Sequence, residues 1–206
     1  MGLSYVGTFS ILASSHDHRL VGVATATGTT SVGDRVPHAK PAVGVIATQA
    51  YTNVTYGIRG LELLAGGLAP REALDRLLAE DAESELRQVA ILDFKGRKAV
   101  FTGTKAPEWH GEIVGENYVA IGNLLRGEKV LTSMAEEFEG SRGDLALRMV
   151  KALKAAKESG GDRRGEMSAA LIVVSAKKVE VTLRVDAHEN PIEALRSRLK
   201  GLQQDE

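Results

Sequence analysis

The 206-residue chain contains no cysteine. That excludes a disulfide framework, a zinc–thiolate site and a cysteine nucleophile together. It also has almost no charge of one sign to spare: 26 Lys and Arg against 27 Asp and Glu leave a net charge of -1. No global field therefore points to nucleic acid or to an anionic membrane as a partner. No apolar run approaches the ~20 residues that cross a bilayer. The start, Met1-Gly2-Leu3-Ser4-Tyr5-Val6-Gly7, lacks the basic region and long apolar stretch of a secretory signal. The expectation is a cytoplasmic protein that binds neither nucleic acid nor membrane. Phosphate loops of the Walker type, a dinucleotide Gly-rich fingerprint and a serine-hydrolase elbow are missing too, and no cofactor is expected.

What is present is an ordinary globular composition, 43% hydrophobic and 26% charged, long enough to bury a sizeable core as one domain over residues 1–206. Thr8 to Ser14 and Leu20 to Thr27 are apolar and β-branched around the polar turn 15–19, which reads as a hairpin. Ala42 to Gln49 reads as a third strand, apolar on both faces. The spacing then turns helical: Tyr56, Leu61, Leu64 and Leu68 share one face, and Pro70 opens a second helix in its first turn. Residues 87–93 and 98–102 form another hairpin around Gly96. Val114 to Ile121 reads as one strand, followed by helices at about 128–139 and 145–158, the second stopped by Ser159-Gly160-Gly161. Strands at 168–175 and 179–185 and a helix from Pro191 to about Lys200 complete the chain, with a frayed tail at 201–206. Adjacent strands favour antiparallel pairing, and single-striped helices favour outer positions. The expected class is α+β: a four-layer αββα sandwich of two mainly antiparallel sheets between helical layers.

Four stretches are more specific than any periodicity. They are Gly7-Thr8-Phe9-Ser10-Ile11; Val36-Pro37-His38-Ala39-Lys40 with Val45 to Asn53; Gly57-Ile58-Arg59-Gly60-Leu61-Glu62-Leu63-Leu64; and Gly161 to Leu171. Phe101-Thr102-Gly103 and Ile121-Gly122-Asn123 lie between them. Together they resemble an uncharacterised bacterial and archaeal family grouped with the N-terminal-nucleophile (Ntn) hydrolases, from Thr8 to about Leu199. The resemblance implies the same αββα sandwich, with the fold of a proteasome subunit. It implies a reaction only by analogy of fold.

An Ntn hydrolase attacks with the side chain of its first residue, and the free α-amine takes the proton because its pKa of ~8 lies near working pH. Thr8 is the candidate, since the Gly7-Thr8 junction at the first strand resembles the self-cleavage site of proteasome β-subunits; residues 1–7 would be the leader. Ser4 is a poorer nucleophile candidate. A threonine opening a strand is also simply a residue that fits the pleat. Lys40, at the edge of the third strand, is the candidate for lowering the nucleophile's pKa, as a lysine does in proteasome-like sites; a solvated surface lysine is the alternative. Asp162, Arg163 and Arg164 form a polar cluster in a Gly-rich loop. The arginines could hold a carboxylate or phosphate, or the cluster could be a salt-bridged turn. Gln49, Asn53 and Asn123, near strand ends, are candidate substrate or oxyanion contacts, or turn-stabilising amides. His38 is a candidate acid or base in a loop. His16-Asp17-His18 lacks a third ligand, so no metal site is expected. Three readings follow: an amidohydrolase cutting a small amide or peptide bond through Thr8, a non-catalytic protein of this fold binding an anionic metabolite, or an oligomeric structural subunit. A homo-oligomer acting on or binding a small molecule is the partner expectation.

Overall fold

The computed structural model describes residues 7–204; residues Met1 to Val6, with Ser4 and most of the candidate leader, and the last two residues lie outside them. The fold is α+β, with ten strands in two antiparallel sheets and five α-helices among the described residues. β1 (Thr8–Ser14) and β2 (Leu20–Thr27) form the expected hairpin, followed by β3 (Pro37–Lys40), β4 (Gly44–Ala50), α1 (Thr55–Ala65) and α2 (Pro70–Ala79). Next come β5 (Arg87–Asp93), β6 (Lys98–Thr102), β7 (Gly111–Val114), β8 (Tyr118–Asn123), α3 (Lys129–Gly140) and α4 (Leu145–Glu158). β9 (Ser168–Ser175), β10 (Val179–Val185) and α5 (Pro191–Gln204) complete the chain. One sheet has the order β10-β9-β2-β1-β8-β7 and the other β3-β4-β5-β6.

Two elements differ from the sequence expectation. The single strand over 114–121 is a hairpin: β7 and β8 meet around residues 115–117, where the Gly115 amide bonds the Tyr118 carbonyl. Pro37 to Lys40, read as a loop leading into a strand, is itself an edge strand paired with β4. Proline tolerates that place because an edge strand need not donate every ladder bond.

Alternation along the strands sorts the apolar residues into three clusters. Phe9, Ile11 and Ala13 of β1 pack with β2, β8 and β9 against Met134 and Phe138 of α3, Met149 and Leu153 of α4, and Leu195 of α5. Their neighbours Leu12, Val21, Val23, Val119 and Ile121 point the other way, onto Val45, Ala47, Ala90 and Leu92 of the second sheet. Ile46, Val89 and Ile91 face outward from that sheet onto Tyr56, Leu61, Leu64, Leu74 and Leu77 of α1 and α2. Each fully buried Leu, Ile or Phe contributes about 1.5–3 kcal/mol, so these contacts dominate the favourable side of folding. Gly57 in α1 lies against the His38 ring, where a Cβ would overlap it. His38 is therefore a packing residue of β3. Its Nε2 lies 3.2 Å from the Arg35 carbonyl, and burial lowers its pKa.

Candidate active site

Antiparallel pairing carries several distant residues to one rim of the molecule. Thr8 opens β1 and stands opposite Thr27 at the end of β2 and Asn123 at the end of β8. Thr27 in turn faces Ser168 at the start of β9. In the other sheet Gln49, near the end of β4, pairs with Gln88, near the start of β5. The inward-facing phase of the strands, apolar through Leu12, Val23 and Ala90, thus becomes polar here: Thr8, Ser10, Thr25, Thr27, Gln49, Gln88 and Asn123 are all fully buried.

A buried polar group costs roughly 1–3 kcal/mol without a partner, and this set is bonded within itself. Ser10 Oγ donates to Gln49 Oε1 at 2.6 Å. Gln49 Nε2 donates to the Thr8 carbonyl at 3.2 Å and to Gln88 Oε1 at 2.8 Å. Asn123 Nδ2 donates to the same Gln88 oxygen at 3.1 Å. Gln88 Nε2 reaches the Gly122 carbonyl at 3.0 Å and Thr102 Oγ1 at 3.0 Å. Thr8, Gln49 and Asn123 are thereby brought together. Gln88, the hub joining them, is not among the residues that the sequence singles out.

The peptide carbonyl of Gly7 has unusual company. Thr27 Oγ1 donates to it in a short hydrogen bond, and Arg164 Nη2 donates to it at 3.1 Å. Thr8 Oγ1, on the residue just after that carbonyl, donates to Thr27 Oγ1 at 3.3 Å. Arg164 is fixed by Asp162, which it meets through Nε at 3.0 Å and Nη2 at 2.7 Å. Asp162 is 1% exposed and also accepts from the Gly28 amide at 2.7 Å. Gly7 suits this crowding, because a Cβ there would lie 2.7 Å from Asp162 Oδ2 and 2.8 Å from Leu124 Cβ. A carbonyl held by a guanidinium and a hydroxyl is polarised toward attack at carbon, since developing negative charge on its oxygen is already met by donors.

The remaining sequence candidates lie elsewhere or serve the backbone. Lys40 is exposed at the far end of β3 opposite Gly44. It stands five positions along β4 from Gln49, about 17 Å at the usual strand rise, and the structure does not bring it to Thr8. Asn53 accepts from the Thr55 amide at 3.1 Å and so organises the start of α1. Arg163 ties its loop to the end of β8, its amide bonding the Leu124 carbonyl at 3.1 Å and its Nε the Leu125 carbonyl at 2.8 Å. Among the described residues no group of three or more His, Cys, Asp and Glu is placed to hold a metal ion, and no helix is long and apolar enough to cross a membrane.

The model of a family of unknown function, DUF1028, matches residues 8–195. A crystal structure of protein SPO2555 from Silicibacter pomeroyi is 34% identical, with 95% of this chain and 85% of that one covered and a TM-score of 0.89. Anbu (ancestral beta-subunit) from Yersinia bercovieri aligns over 95% of each chain at 11% identity, with a TM-score of 0.46. No curated protein matches.

Proposed function

The chain belongs to the DUF1028 family, and on that footing we propose that it is the precursor of an Ntn-type amidohydrolase, its two sheets forming the inner layers of an αββα sandwich. The observation that carries this reading is the Gly7 carbonyl, held by Arg164 and Thr27 directly before the Thr8 hydroxyl. In the first reaction Thr8 Oγ1 adds to the Gly7 carbonyl carbon while the two donors stabilise the oxyanion. The hydroxyl proton is transferred to the Thr8 nitrogen, and the C–N bond breaks. An ester joins Gly7 to Thr8 Oγ1, and the α-amine is free. Water hydrolyses the ester and releases residues 1–7. The amine, with a pKa of ~8, then serves as base for Oγ1. Thr8 attacks a small amide or peptide carbonyl, the amine product departs with the proton, and water clears the acyl ester. Gln49, through the Thr8 carbonyl, positions the nucleophile. The reading as an anion clamp has less support, because Arg164 already pairs with Asp162 and Arg163 bonds backbone carbonyls.

Intact mass of the untagged chain tests the proposal. The expected mass is that of the chain starting at Thr8, with cleavage retained in Thr8→Ser, abolished in Thr8→Val and slowed roughly 100-fold in Arg164→Ala, the usual range for losing one oxyanion donor. A wild-type chain that stays uncut under all conditions would falsify the mechanism.

A further inference from the structure

The opposite rim of the molecule carries a buried arginine that forms no ion pair among the described residues. Arg148 lies in the first turn of α4 and is only 8% exposed. Its guanidinium sits over the Phe138 ring, 4.2 Å from the centroid. Nη2 donates to the Phe138 carbonyl at 2.9 Å near the C-terminus of α3. That bond caps a helix end, but it engages one nitrogen. Nε is enclosed, and neither it nor Nη1 bonds any described residue. No described carboxylate forms an ion pair with this side chain, although a buried cation without one is costly. The charged group itself lies at the C-terminal end of α3, where the helix dipole favours a cation.

Arg148 borders two adjoining clefts. One, of about 410 Å³, is walled by Leu20, Leu145, Gly143 and the His16–Arg19 turn. The other, of about 230 Å³, reaches Asn117 and Tyr118. The combined space suits a small molecule. Four carboxylates stand at the rims and set the charge of the guest. Asp17 is engaged by Ser15, the Arg19 amide and the Arg19 guanidinium. Asp144 caps α4 through the Leu147 amide, and Glu139 accepts from Tyr118 Oη at 2.6 Å. Glu116 completes the ring. A dianion would meet these carboxylates; a single negative charge with a short alkyl tail would pair with Arg148 and lay its carbon against Leu20 and Leu145. We infer that this cleft is a binding site for a small aliphatic monocarboxylate. It is separated from Thr8 by the length of β1, about 23 Å at 3.3 Å per residue, and it stands or falls independently of the threonine chemistry.

The test uses the full chain titrated with sodium propionate and butyrate against sodium chloride at matched ionic strength. Calorimetry should show saturable binding, and the Arg148 Nε resonance of ¹⁵N-labelled wild-type protein should move with the same midpoint. Arg148→Met should bind roughly 10- to 100-fold more weakly, the equivalent of losing a charge-assisted hydrogen bond. Arg148→Lys keeps the charge without the planar fork and should also weaken binding. The wild-type resonance needs no variant to fold. Absence of saturable binding, a stationary Arg148 resonance, unchanged affinity in both variants, or equal binding of sulfate or phosphate would each overturn the assignment.

Discussion

Glu166 sits behind the Asp162–Arg164 pair, its Oε1 accepting from the Asp162 amide at 3.0 Å. Burial is the main influence on its carboxyl and pushes the pKa above the ordinary 4.5, with nearby Asp162 acting in the same direction. An acid whose pKa is raised by folding costs stability once it ionises, so the cost grows as pH rises from the unfolded value through the folded one. Glu166→Gln keeps the accepting oxygen and removes the charge. The variant should equal the parent in urea unfolding at pH well below the ordinary carboxyl value and become the more stable of the two as pH rises through the raised folded-state pKa; equal stability throughout would contradict the burial effect. At this scale the sequence exposes Thr8 through the Gly7-Thr8 junction and the loop carboxylate and arginines through their clustering. Gln88 stays hidden because one amide in Gln88-Val89-Ala90-Ile91 looks like any strand residue. Its signal is phase: it shares the inward face with Ala90 and Leu92, where a polar residue is out of place.

Elements are joined by a second kind of device. Arg87 at the start of β5 holds Asp81, just past α2, at 2.9 Å, Glu83 at 3.1 Å and the Tyr51 carbonyl at 2.8 Å. The Arg87 hydrogen bond, with a further bond from the Glu83 amide, lowers the Asp81 pKa from 3.8 to about 2. A depressed carboxylate stabilises above its unfolded pKa, and that stability is lost as pH falls through the folded one. Asp81→Asn should therefore cost on the order of 2 kcal/mol at pH 7. It should also flatten the acid limb of stability between about pH 4 and pH 2, read from denaturant midpoints. Likewise, Gly57→Ala drives a methyl into the His38 ring and should cost about 1–3 kcal/mol; in the His38→Ala background the same change should be nearly neutral. The long elements are legible because their patterns run for seven or more residues. β3 and β7 are four residues each, too short for alternation to separate them from the turns beside them.

In the whole molecule, protection from solvent should follow position in the sheets. β1 and β2 are hydrogen-bonded on both sides, whereas β7 and β10 are the edges of the larger sheet. Hydrogen exchange should be slowest in β1 and β2 and fastest in β7 and β10; uniform protection would mean that the sheet does not open from its edges. The order of strands could not be read from the sequence, because β9 joins β2 across more than a hundred residues and local pattern carries no information about such pairing. The space between the sheets has a direction as a result of that order: it is hydrocarbon beside Leu12 and hydrogen-bonded beside Thr8. Tolerance to substitution should have the same direction. Near Leu12 a side chain is accepted for its volume, and near Thr8 for its donors and acceptors. One rim can then change its chemistry over evolutionary time while the other keeps the two sheets together.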